Sequence, residues 1–378
     1  MADQQWLVVS DLHLDRSAHR ASLGQPGYDS DQALIAAAVA AMKAADPNAP
    51  VVVVGGDSLA HHFRGDALAT MREIANALDR AFPRAQFLVA LGNNDDPCGD
   101  YRIGTDTPYL RGLAAIWAPL VDRGDAAPGF ARAFAHGGYY TARLPQTHLR
   151  AVVLDSVLWS WLYRDCTPQT RSPGADELAW LDAALANGPR DAHDLLVMHI
   201  PPGIDGHATE LTLGVAAVPF YAPSANRAFL ATVARHHARI AGMIASHLHR
   251  NDYRIVDGMP MLIASSVSPI AGNPPTFYTL DVRSNGTLGS ATPHVLIDGT
   301  WTAQAATDVE GLAAAHVRAE STTSRFLWCA QTQLTDAYAA CAGIPQRRDG
   351  AIVLFVAVVA VLASLPLLGL LRRPRRSP

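Results

Sequence analysis

The sequence predicts an α/β layered core followed by an apolar C-terminal span. Three observations lead there. Short apolar runs alternate with helix-period stretches through the first half, polar clusters follow those runs, and residues 351–371 carry no charge. A length of 378 residues accommodates one large domain plus an appendage, or two ordinary domains. The composition, 49% hydrophobic and 17% charged, is that of a globular chain tilted by one very apolar segment. A net charge of −4 provides no global attraction to nucleic acid or anionic lipid, and no nucleic-acid-binding patch is evident.

Trp6–Val9, Val51–Val54 and Phe87–Leu91 read as buried strands because each is short, continuous and apolar. Between them, Ser30–Ala45 and Asp66–Phe82 have helix-period apolar positions, with Ser30 and Gly65 as candidate N-caps. Further strands are expected at Leu149–Leu154, Leu195–Ile200, Ile240–Ala245, Met261–Ser265 and Tyr278–Val282, with helices at Asp176–Ala186 and Ala225–His236. Ser284-Asn285-Gly286-Thr287 reads as a hairpin turn, since Asn-Gly suits a type I′ loop; the same letters spell a glycosylation sequon. From about Trp301 to Ala342 the pattern becomes polar, Ala-rich and helical.

The four cysteines, Cys98, Cys166, Cys329 and Cys341, match no zinc-finger spacing. Two disulfides, implying an oxidising compartment, and four reduced thiols both remain open. Residues 351–371 are flanked by Arg347-Arg348 and by Arg372-Arg373-Pro374-Arg375-Arg376, and are long enough to cross a bilayer as a helix. The terminal arginines favour a cytoplasmic tail, which places the large domain outside the cytoplasm. No signal peptide is legible, so this orientation requires an export signal missing from this sequence; a tail-anchored cytoplasmic domain is the alternative.

Five polar clusters follow expected strands, where open α/β sheets present their ligand-binding loops: Asp11-Leu-His13, Gly55-Gly-Asp57, Gly92-Asn93-Asn94-Asp95, His199 and Ser246-His247-Leu248-His249. Two divalent ions about 3.5–4 Å apart need such a mixture of carboxylate, amide and imidazole, with one carboxylate shared. Each cluster alone is weak; all five in this order are not a chance pattern.

These blocks resemble the signature blocks of calcineurin-like metallophosphoesterases, over roughly residues 5–282. The resemblance implies a four-layer α/β/β/α sandwich as a catalytic domain over 1–300; a helical subdomain over 301–345 is expected to follow, then the transmembrane helix over 351–371 and a basic tail over 372–378. It implies that Asp11, His13 and His249 hold one metal ion, that Asn93, His199 and His247 hold a second, and that Asp57 bridges them. Two divalent ions, zinc first and manganese or iron as alternatives, would activate a water or hydroxide that attacks the phosphoester.

Gly56-Asp57-Ser58-Leu59-Ala60-His61, Ala90-Leu-Gly-Asn-Asn94 and His199-Ile-Pro-Pro-Gly203 are similar to segments of the acid sphingomyelinase-like phosphodiesterases. Asn94 departs from the pattern, standing where relatives usually have a histidine that contacts phosphate. A neutral amide cannot donate a proton as an acid, so His61 is the candidate general acid and Asn94 a candidate phosphate contact. The expected activity is phosphodiester hydrolysis. A phosphoanhydride hydrolase acting on polyphosphate or nucleotides is the alternative that Asn94 suggests, since Gly-Asn-Asn-Asp is also similar to endopolyphosphatases. A degenerate membrane-tethered binding protein is the alternative of another class, disfavoured because all seven expected ligands are present.

Overall fold

The computed structural model describes residues 3–123, 129–144, 146–166, 172–284, 286–319 and 324–344. These described residues fall into two compact units, one drawn from the stretches up to 202 and 220–318, the other from 203–219, 319 and 324–344. The run 351–371 and the tail 372–378 lie outside the described residues, among which no helix is long and apolar enough to cross a membrane.

The first unit is a mixed α/β sandwich. Its first sheet has a parallel core of Gln4–Val9, Val51–Val54 and Gln86–Val89. Thr276–Val282, Leu288–Ile297 and Thr300–Ala303 add to it antiparallel. In the second sheet, Leu149–Val153, His193–Val197, Ile240–Ala245 and Met259–Ile263 run parallel, with Tyr140–Arg143 and Asp252–Val256 as antiparallel edges. Val51–Val54 and Gln86–Val89 are buried at every position, as expected for parallel strands covered on both faces. Helices Gln32–Ala45, Ala67–Ala81 and Pro108–Val121 pack on one another beside the first sheet, and Pro173–Ala186 packs on Pro223–Arg235.

The helix caps sit one residue later than the sequence predicts. Asp31 and Asp66, not Ser30 and Gly65, accept from the backbone N–H groups of Leu34 and Ala69, each at 2.9 Å. Gly65 has no side-chain acceptor. Ser30 is instead tied by its backbone to His13 and Asp15, and a carboxylate also suits the positive end of the helix dipole.

The stretch expected to be helical from Trp301 opens with two strands, Thr300–Ala303 and Thr307–Asp308, both paired with Leu288–Ile297. The signal was Asp298-Gly299, a two-residue hairpin loop with φ of 49° and 77°. Helices follow only at Leu312–Ala319, Arg325–Thr332 and Ala337–Ala342. The antiparallel pairing of Thr276–Val282 with Leu288–Ile297 makes the expected hairpin; Asn285 itself lies outside the described residues.

In the second unit, Ile204–Asp205 pairs with Val218–Pro219, and Cys329, Tyr338, Ala342 and Ile344 form a small buried core. Cysteines that the sequence left open are paired. Cys98 is joined to Cys166 and Cys329 to Cys341, with Cα separations of 5.8 and 5.9 Å.

Candidate metal centre

Every candidate ligand lies just beyond the carboxyl end of a parallel strand. Asp11 follows Gln4–Val9, Asp57 follows Val51–Val54, and Asn93 follows Gln86–Val89 in the first sheet; His199 and His247 follow His193–Val197 and Ile240–Ala245 in the second. The loops are held in unusual backbone conformations. Asp11, His13, Asp57, His247 and His249 all have positive φ, between 42° and 75°, which costs non-glycine residues about 1–3 kcal/mol each. Backbone strain at five residues of one cluster marks a functional constraint. Gly56 answers the same constraint differently: a Cβ there would lie 2.7 Å from His199 Nδ1.

The seven residues converge into two adjoining groups, Asp11 with His13 and His249, and Asp57 with His199 and His247. Asn93 joins the second, its Oδ1 3.2 Å from His199 Nε2. Between the groups stands Asp57. Its Oδ2 lies 3.5 Å from His13 Nε2 and 3.4 Å from His199 Nε2.

Hydrogen bonding around the centre decides what it can hold. His13 Nδ1 faces the Leu59 carbonyl at 3.0 Å, which can only accept, so Nδ1 carries the proton and Nε2 a lone pair. Ser266 donates its hydroxyl to the Ser268 carbonyl, so its Oγ accepts from His249 Nδ1, 3.1 Å away, and in the neutral ring His249 Nε2 is also a lone pair. These two lone pairs face each other across 3.2 Å. Asp11 Oδ1, buried and without a hydrogen-bond donor, points to the same place, 3.2 Å from His249 Nε2. Three acceptors converging with no donor among them are the environment that a cation satisfies.

Charges in the cluster agree. Burial would raise the Asp57 carboxyl, but His199 and His13 hold it well below the usual carboxylate range. Burial would lower His199; Asp57 outweighs it and raises the imidazole to about 10, a proton that a divalent cation would replace. His13 is pushed down to about 4 by burial and by His61, which keeps it neutral and able to ligate. Burial would raise the Asp11 carboxyl, but the charged form of His249 beside it, with His199, holds it at about 2. Carboxylate, amide and imidazole together bind divalent cations such as zinc, manganese and iron, so the residues present fit the group expected.

His61 lies at the edge of this centre, its ring stacked on His13 at 4.2 Å and a third of its side chain exposed. Asn94 is turned inward. Its backbone N–H and side-chain amide donate to the two oxygens of Asp57, at 2.8 and 2.9 Å.

The sequence reading missed the residues behind the ligands. Asp100 accepts from Asn93 Nδ2 at 2.8 Å and so turns Oδ1 toward the centre. Tyr101 reaches His247 Nε2 at 3.3 Å, and Asp29 binds His61. Asp95, the last residue of the Gly92-Asn93-Asn94-Asp95 cluster, accepts from the backbone N–H groups of Ser58, Leu59 and Gly92 and so clamps two loops. Asp29, Asp100 and Tyr101 carry no local motif.

No family model matches the chain. Among curated proteins it is 29% identical over 236 residues to the mouse acid sphingomyelinase-like phosphodiesterase 3b, a match covering 60% of this chain and 48% of that one. It is a sequence relative of the acid sphingomyelinase-like phosphodiesterases. The sphingomyelinase phosphodiesterase D of Dictyostelium discoideum is 24% identical over 69% of this chain and 59% of its own. A bovine cyclic GMP-AMP phosphodiesterase is 24% identical over 70% of this chain and 63% of its own. The chain thus spans about half to under two thirds of the length of these acid sphingomyelinase-like relatives.

Proposed function

We propose that the chain is a phosphodiesterase whose centre holds two divalent metal ions, in a four-layer α/β/β/α sandwich drawn from residues 1–202 and 220–318. The observation that carries this is the convergence of unpartnered acceptors at His13, His249 and Asp11, beside a carboxylate that faces both histidine groups. Asp11, His13 and His249 would hold one ion, Asn93, His199 and His247 the other, and Asp57 both. The ions would supply Lewis acidity toward the phosphoryl oxygens and lower the pKa of an attacking water.

The chain's own residues do the rest. Asp57 is kept anionic between the groups and oriented by both donors of Asn94. His61, stacked beside His13 and open to solvent on one side, is placed to protonate a departing oxygen. The names of the relatives support a diester substrate. A nucleotide or polyphosphate substrate is the second reading, supported by the likeness of the Gly92-Asn93-Asn94-Asp95 block to endopolyphosphatases and by the cyclic dinucleotide in the bovine relative's name.

A panel of nitrophenyl and alkyl diesters, monoesters, nucleotides and polyphosphate, run with zinc, manganese and iron, tests both readings. Diesters are expected to be turned over fastest, with activity lost to chelator and restored by metal; shortening of polyphosphate with inert diesters would establish the second reading. Turnover that survives complete metal removal would end the metal-centre proposal.

We also propose that 351–371 anchors the protein in a membrane, with the large domain extracytoplasmic. Support comes from the 21 uncharged residues, the four terminal arginines and the two disulfides. In an export-competent version, protease added to intact cells should reach the large domain; protection of that domain with an accessible tail would establish the opposite orientation.

A further inference from the structure

We propose that Asp29 is a positioning residue that works through His61. It holds the imidazole so that Nε2 alone is presented for proton transfer to the leaving group. This rests on the phosphodiesterase reading above.

Asp29 grips His61 twice. One carboxylate oxygen accepts the ring Nδ1–H at 2.8 Å, the other the backbone N–H of the same residue at 3.0 Å. A carboxylate that only filled out its loop would have no reason to take both. With Nδ1 committed to an acceptor, Nε2 is the ring nitrogen left to meet substrate. The ring's flat face is set by stacking on His13, itself pinned through Leu59.

The grip is rigid because Asp29 immediately precedes Ser30, which sits in a three-way backbone zipper. Ser30 donates to the His13 carbonyl and accepts from Asp15, while His13 and Leu14 donate to Asp57 and Ser58. Two residues on, Asp31 caps the helix Gln32–Ala45. The segments carrying a metal-ligand candidate, the bridging carboxylate and the proton donor are thereby locked in one register, and Asp29 extends that register to the His61 ring.

In the step itself, a water oxygen forms the new bond to phosphorus and the bond to the leaving oxygen breaks. That oxygen keeps the bonding pair and takes the proton from His61 Nε2; His61 is reprotonated from the water consumed. Asp29 exchanges no proton. It fixes the direction in which the proton leaves, so its value depends on how badly the leaving group needs one.

The test compares Asp29→Ala, Asp29→Asn, His61→Ala and the Asp29→Ala/His61→Ala double variant on alkyl and nitrophenyl diesters. Asp29→Ala is expected to lower kcat on the alkyl diester by about 10–100-fold, the usual cost of losing an orienting partner. KM should hardly move, and the nitrophenyl diester should lose less than about 3-fold, since nitrophenolate departs without protonation. Asp29→Asn, which keeps one acceptor, should fall between. The double variant should be no slower than His61→Ala. Equal losses on both substrates, additive losses in the double variant, or a fall in bound metal would overturn the proposal; the last would make Asp29 with His13 and His61 a cation site instead.

A readout independent of turnover separates this from the parent reading. Histidine-labelled protein should show a protected, hydrogen-bonded Nδ1–H resonance that disappears in His61→Gln and in Asp29→Ala. Its absence from the wild type overturns the positioning. Its presence in a protein that hydrolyses no diester leaves the Asp29–His61 geometry standing and refutes the phosphodiesterase reading alone.

Discussion

Asp57→Asn is expected to lower diester turnover by about 10³-fold or more and to reduce bound metal from about two ions per chain to one or fewer. The size follows from what the carboxylate does. Its Oδ2 faces both histidine groups, so a single negative charge serves two cations, and losing it weakens both at once. Three orders of magnitude correspond to about 4 kcal/mol of transition-state stabilisation, modest for a charge in a buried site. The amide is nearly isosteric, and the Asn94 backbone can still donate to its oxygen, so the loop should keep its course. The fold should survive, which circular dichroism and a thermal melt would verify alongside metal analysis and steady-state kinetics. An Asp57→Asn protein that retains two ions and full activity would refute the binuclear centre.

Asp95→Ala is expected to destabilise the first unit by about 3 kcal/mol or more, as buried donors left unpaired cost about 1–3 kcal/mol each. The Asp95 side chain joins two loops: Oδ1 accepts from Ser58 at 2.7 Å and Leu59 at 3.1 Å, and Oδ2 from Gly92 at 2.9 Å. No other side chain replaces those acceptors, and little water reaches them. A credit must be set against this loss, because the carboxyl is itself buried and near Asp57, which raises its pKa to about 7. That credit is why the estimate stays at the low end. Metal affinity should fall too, since the Gly56–Leu59 and Gly92–Asn94 turns deliver Asp57 and Asn93. The measurements are a denaturant titration and metal binding by calorimetry. Unchanged stability would mean that Asp95 is no clamp and only completes its own turn.

What was legible in the sequence was whatever is written in consecutive residues. Strand type shows because parallel strands buried on both faces must be apolar without interruption, as in Val51–Val54. The five clusters show because a sheet delivers its ligands at strand ends, one short block at a time. Where local letters were read incompletely, the error was local too. Asp298-Gly299 is a hairpin signal just before a stretch whose alanine content suggested helix, and pairing with Leu288–Ile297 outweighed that propensity.

What only the tertiary structure decided is everything that depends on one atom facing another across the chain. Asp29 and His61 are 32 residues apart, and Asp95 meets Ser58 over 37. No spacing rule connects such pairs, because each residue belongs to a different loop and the sheet alone brings the loops together. The role of Asn94 is the sharpest case. Its sequence position suggested a contact to phosphate, whereas the fold turns both of its donors onto Asp57. A side chain's identity is local, but the partner that takes its hydrogen bond is whichever buried group would otherwise go unsatisfied, and that is settled only when the loops close.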